Sequence, residues 1–79
     1  MKLSYDPRLN IGYLRFHEKT AEVETIQVSD ALNVDIAPDG TIYGIELLNA
    51  NEQLSGDDDG QLVVVNEAAG KTDNIALGI

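Results

Sequence analysis

The stretch Leu32-Asn33-Val34-Asp35-Ile36-Ala37-Pro38-Asp39-Gly40-Thr41-Ile42-Tyr43-Gly44-Ile45-Glu46-Leu47 decides the fold. Asp39-Gly40 is the preferred pair for a two-residue type I′ turn, because both central positions need positive φ. Closing the chain there sets Ile36 opposite Tyr43, Val34 opposite Ile45 and Leu32 opposite Leu47, all on one side. The other side receives Asp35 with Gly44, Asn33 with Glu46 and Ala37 with Ile42. A register taken from the turn alone thus separates apolar from polar residues, Ile42 excepted. A one-residue slip would reverse every side chain, so the hairpin is well specified. Pro38 stands beside the turn, where its missing N–H matters least.

Period-2 alternation continues outward from this hairpin. Ile11 to His17 reads as a strand with Gly12, Leu14 and Phe16 on one side and Ile11, Tyr13, Arg15 and His17 on the other. Leu3 to Tyr5 is a short strand stopped by Asp6-Pro7, and Glu18-Lys19-Thr20 is a polar turn. A third strand covers about Glu22 to Val28. Val23 is out of phase there with Ile26 and Val28, which points to a bulge or a late start. Asn49 to Leu54 makes at most a turn or two of helix, and Ser55 to Gly60 is a loop. Leu62 to Val65 is a β-branched run suited to a strand covered on both faces. Ala68-Ala69-Gly70 breaks it, and Thr72 to Ile79 forms a last strand with Ile75, Leu77 and Ile79 on one side.

No repeat or linker divides the chain, so residues 1–79 are expected as a single domain. The expected class is mainly β, or α+β with one short helical turn, as an antiparallel meander of five to seven short strands. A one-layer sheet with an apolar face does not stay open in water. It is therefore expected to curl, or to pack face to face in a homodimer, and a chain this short favours the dimer.

Composition narrows the function. Leu, Ile, Val and Phe make up 23 of 79 residues, enough for a packed core where acidic chains poorer in them stay disordered. The 14 acids against 5 bases, net −9, exclude a basic nucleic-acid patch. No apolar run approaches a membrane span, and no basic amphipathic segment is present. The opening residues turn polar too early for a secretory leader, and there is no cysteine. Both features fit an expected cytoplasmic location. The charge is also segregated: residues 20–70 hold eleven acids and no Lys or Arg, whereas Lys2, Arg8, Arg15 and Lys19 precede them.

Tyr5-Asp6-Pro7, Tyr13-Leu14-Arg15-Phe16, Val34-Asp35-Ile36 with Asp39-Gly40, and Gly44-Ile45-Glu46-Leu47-Leu48-Asn49-Ala50 resemble the small bacterial family of domain of unknown function 2283. The resemblance covers about residues 1–51. Asn10 and Gly12 depart from the family's usual residues, and the segment from Ser55 onward extends past its pattern. The resemblance implies a β-rich domain without an assigned activity. It also implies an antitoxin-like or inhibitory role, since such domains are often encoded beside small basic proteins. By their own chemistry the matched residues read as structural, with Tyr13 and Ile45 as core candidates and Gly44 permitting a bulge or close approach opposite Asp35.

Candidate sites are few. His17, the single histidine, sits at a strand end beside Glu18 and Lys19, a surface position, and no serine has a nucleophile-elbow context. Glu22 and Glu24 lie two apart, a carboxylate pair without a pocket around it in the sequence. Ser55, Asp57, Asp59 and Gly60 match the start of an EF-hand loop, but Ser55 stands where that loop wants Asp, and Asn66 where it wants Glu. Asp57 and Asp59 are thus only a weak calcium candidate, and no cofactor or metal is expected. The expected function is non-enzymatic: a protein-binding or regulatory module that takes a basic partner on Glu22, Glu24, Asp35, Glu46, Asp57, Asp58 and Asp59. The alternative is a small-ligand or divalent-cation site near the 55–60 loop or in a dimer groove.

Overall fold

The hairpin closes one residue wider than its Asp39-Gly40 pair suggests. In the computed structural model, which describes residues 1–18, 22–57 and 59–79, Gly40 N–H donates to Ala37 O and Ala37 N–H donates to Thr41 O, both at 2.9 Å. Pro38, Asp39 and Gly40 therefore form a three-residue loop, with Gly40 alone at positive φ, +90°. Proline explains the choice: its fixed φ suits the second position of a β-turn, which puts Pro38 and Asp39 in the middle and Gly40 after them. The wider loop brings Ile36 opposite Ile42. The pairs Ile36–Tyr43 and Ala37–Ile42 are thus not formed, and Ile42, the misfit of the two-residue register, joins Ile36. A register shift beyond Ile36 leaves Tyr43 as an extra residue, and Asp35–Gly44, Val34–Ile45, Asn33–Glu46 and Leu32–Leu47 then pair as expected.

The strands are β1 (Lys2–Asp6), β2 (Ile11–Arg15), β3 (Glu24–Ser29), β4 (Leu32–Ile36) and β5 (Ile42–Leu48), followed by helix α1 (Ala50–Leu54), β6 (Gln61–Asn66) and β7 (Lys71–Ala76). The fold is β-rich, and all pairing is antiparallel. Hairpin β1–β2 and meander β3–β4–β5 join through β2 and β5 into one five-stranded sheet of order β1-β2-β5-β4-β3. β6 and β7 form a second sheet of two strands. The third strand starts late, at Glu24, and also carries a register shift between Gln27 and Ser29. Of the polar turn expected at Glu18-Lys19-Thr20, Lys19 and Thr20 lie outside the described residues.

Cross-strand partners share a face. One face of the large sheet collects Leu3, Leu14, Ile45, Val34 and Ile26, neighbours across all five strands. Helix α1 lies on this face at Gly12, where an added Cβ would meet Ala50 Cβ and Leu54 Cδ1 at 3.2 Å each. Leu3, Leu14, Val34 and Ile45 on this face are half-buried, and Ile26 at its edge is exposed. Among the described residues only Ala37 and Ala50 are buried apolar side chains, and no large side chain is fully buried.

The opposite face carries Tyr13, Glu46, Asn33, Asp35 and Thr25 in register. Tyr13 therefore lies on the side away from Ile45, and not with it in one core. Gly44 is the close approach expected opposite Asp35: an added Cβ would collide with the Tyr13 ring and its Oη.

Two outcomes follow. Gly44→Ala should push the Tyr13 ring aside and lower unfolding stability by about 2 kcal/mol, with Gly56→Ala, which meets nothing within 4 Å, as a neutral control in denaturant titrations. The Thr41 N–H, 2.9 Å from Asp39 Oδ1, holds that carboxyl below its ordinary range. Its stabilising effect is present above the unfolded pKa and lost as pH falls through the lowered folded value. An NMR titration should find Asp39 more acidic than a model aspartate.

Candidate functional site

Asp35 sits in mid-strand on β4, bare Gly44 beside it on β5, and Tyr13 one strand further on β2. A side chain at position 44 would stand between Asp35 and Tyr13. Glycine leaves that space empty, so the Tyr13 ring crosses β5 and its hydroxyl donates to Asp35 Oδ2 at 2.7 Å. From the other side Thr25, paired with Asp35 in the β3–β4 register, donates its hydroxyl to Oδ1 at 2.6 Å. Asp35 is 7% exposed and is the buried charged residue among those described. A buried carboxylate is tolerated where donors satisfy it, and here each oxygen has one. The cluster ties β2, β4 and β3 together across the polar face. Its chemistry is that of a strand clamp, since the acceptors are already occupied by hydroxyls of the same chain.

Of the seven acids singled out by the sequence, the six that are described fall in three places. Asp35 and Glu46 share the polar face: Asp35 is buried there instead of facing solvent, and half-buried Glu46 accepts from Asn33 Nδ2 at 3.0 Å. Glu22 and Glu24 are exposed at one corner of the sheet, where they line an open groove of about 480 Å3 with Val23, Ile36, Ala37 and Pro38. Asp57 borders a smaller groove of about 220 Å3 between α1 and β6, floored by Leu54, Leu62 and Leu77. Asp59 is exposed in left-handed conformation, φ 53°, and Asp58 lies outside the described residues. Among the described residues, no three His, Cys, Asp or Glu side chains are grouped to hold a metal ion. His17 is exposed, and its ring packs tilted on Tyr43 at 5.6 Å.

Residues not foreseen from the sequence do much of the positioning. Thr25 escaped because its role needs the β3–β4 register, although its parity with Asp35 was readable. Asn10, at φ 55°, reaches across the chain to α1. Its Oδ1 accepts from Tyr5 Oη at 3.1 Å and from Asn51 N–H at 2.9 Å, and its backbone O accepts from Ala50 N–H at 3.0 Å. Gln53 Nε2 donates to Ala31 O at 3.1 Å and also to Leu48 O. Asn10 and Gly12 thus both meet the helix.

Tyr13→Phe and Thr25→Val should each cost about 1–2 kcal/mol, and the pair should couple by about 1 kcal/mol because both hydroxyls serve one carboxylate. A double-mutant cycle that adds within a few tenths of a kcal/mol would show that they act separately.

No helix of the described residues is long and apolar enough to cross a membrane. Neither curated proteins nor solved structures give a match to the chain. A family model does match, over residues 2–51, which is β1 to the start of α1 and contains the Tyr13–Asp35 clamp, the Pro38–Gly40 loop and Gly44. The chain belongs to the family described as protein of unknown function DUF2283.

Proposed function

We propose that this domain is a non-catalytic binding module, antitoxin-like in role, that takes a basic protein partner through its exposed carboxylates. The observation that carries the proposal is where the chain's own cations go. The ion pairs of the described residues are Arg8–Asp6 at 3.9 Å, Arg15–Glu18 at 3.8 Å and Lys71–Asp73 at 3.8 Å. All three lie outside residues 22–70. Glu22, Glu24, Asp30, Glu52, Asp57, Asp59 and Glu67 are exposed on a surface whose sequence supplies no base from 20 to 70. Carboxylates left in this way build a one-signed field that speeds the encounter with a cationic protein and disfavours anionic ones.

Glu22 and Glu24 are the best placed of these acids, since they line an open groove together with Val23, Ile36, Ala37 and Pro38, a mixed surface suited to the aliphatic stem and charged head of a lysine or arginine. Asp35 and Glu46 support the surface from within. The same proposal sets the domain in the bacterial cytoplasm, a reducing compartment that a chain without cysteine suits.

The test is a pull-down from native lysate, followed by affinity measurement on the captured protein. A basic partner should bind, and its affinity should fall at least about tenfold between about 50 mM and about 300 mM salt. Glu22→Gln with Glu24→Gln should weaken it several-fold with the fold intact. A partner held equally well at both salt concentrations, or the recovery of acidic proteins only, overturns the proposal.

A further inference from the structure

The β6–β7 hairpin lies beyond the family match and, among the described residues, pairs only with itself. An isolated two-stranded sheet is marginal in water, and a third strand or more is needed for it to stand. Its surface is also unusual. Leu62 and Val64 share one face with Ile75, and Val63 and Val65 share the other with Ala76. All residues of both strands are exposed, and the five large apolar side chains are each between 36% and 57% exposed. A strand apolar on both faces is patterned for a covered layer, yet within one chain neither face is covered.

One edge of β6 is bonded to β7, and the other presents unpaired backbone N–H and C=O groups. Native edges are commonly guarded by Lys, Pro, an inward charge or a bulge. Gln61-Leu62-Val63-Val64-Val65-Asn66 has no such residue, and its pairing with β7 runs without a shift. Charge indicates what can occupy this edge. Two copies of a chain with net charge −9 repel each other wherever their acids meet. Of the seven strands, β6 alone contains no Asp, Glu, Lys or Arg, so it is the strand along which two backbones join without placing like charges together.

Symmetry closes the argument. We propose that β6 pairs antiparallel with β6 of a second copy about a twofold axis, giving a four-stranded sheet of order β7-β6-β6-β7. To keep each face on its own side, the axis passes through Val63 or Val64. Leu62 then meets Val64 of the partner, or Val63 meets Val65, which are apolar cross-strand pairs. Growth stops at four strands, because each outer strand is β7, which carries Lys71 and Asp73. This assembly is independent of the basic partner proposed above and differs from face-to-face packing of the large sheets.

The chain has no cysteine, so single-cysteine variants report the interface directly. Light scattering on the eluting chain should give twice the 8.5 kDa of one copy. Under mild oxidation Val63→Cys or Val64→Cys should form a covalent dimer, and Ile26→Cys on the large sheet should not. Val63→Lys should elute as a monomer with an unchanged far-ultraviolet spectrum. Hydrogen exchange on the unmodified chain gives a second reading, in which β6 amides slow as concentration rises, so a variant that fails to fold leaves the test intact. A monomeric chain overturns the proposal. So does a dimer that survives Val63→Lys and cross-links through Ile26→Cys, or β6 amides whose exchange does not depend on concentration.

Discussion

The hydrogen bond from Tyr13 Oη to Asp35 Oδ2 is the constraint on which the large sheet depends. It spans three strands, and it exists only because β5 has no side chain at Gly44. Each partner restricts the others. Burial of Asp35 demands donors, the donors demand Tyr13 and Thr25 on flanking strands, and the path between Tyr13 and Asp35 demands glycine. Large hydrophobic side chains do not supply comparable specificity here, since none is fully buried among the described residues. The polar face is therefore the better-defined side of this sheet, which inverts the usual division of labour between core and surface.

How much of this could be read from the residues varies by element. The central hairpin was legible because four consecutive pairs alternate polar and apolar, and such a pattern tolerates one register only. Its turn was misread by one residue. Asp39-Gly40 carries a strong signal, but Pro38 before it has a stronger steric preference, and the Tyr43 bulge then restores the register. The late start of β3 and the role of Gly44 were legible for the same local reason. The clamp itself was not, because Tyr13 reaches Asp35 across an intervening strand, and strand order is not encoded in alternation. The ties from Asn10 to α1 were hidden likewise, as they join residues 41 apart.

The acids divide by depth in a way composition could not show. Asp35 and Glu46 are absorbed by hydrogen bonds of the polar face, whereas Glu22, Glu24, Asp57 and Asp59 stay in contact with solvent. The formal charge thus overstates what the fold presents for binding, and the exposed acids include a pair at one sheet corner and another in the loop after α1. The family match ends at residue 51, so the second of these regions, with the β6–β7 hairpin, lies outside the matched residues.

Helix α1 has a consequence for the order of folding. Five residues are far too few to nucleate a helix unaided, and its first turn leans on Asn10 for acceptors and on Gly12 for space. Those contacts come into reach only after β5 has docked beside β2, a pairing whose innermost partners, Arg15 and Gly44, enclose residues 16–43 and which is correspondingly slow. The helix is thus a latecomer that locks an assembled sheet. Its unwinding would free the apolar surface at Gly12 while the strands remain paired.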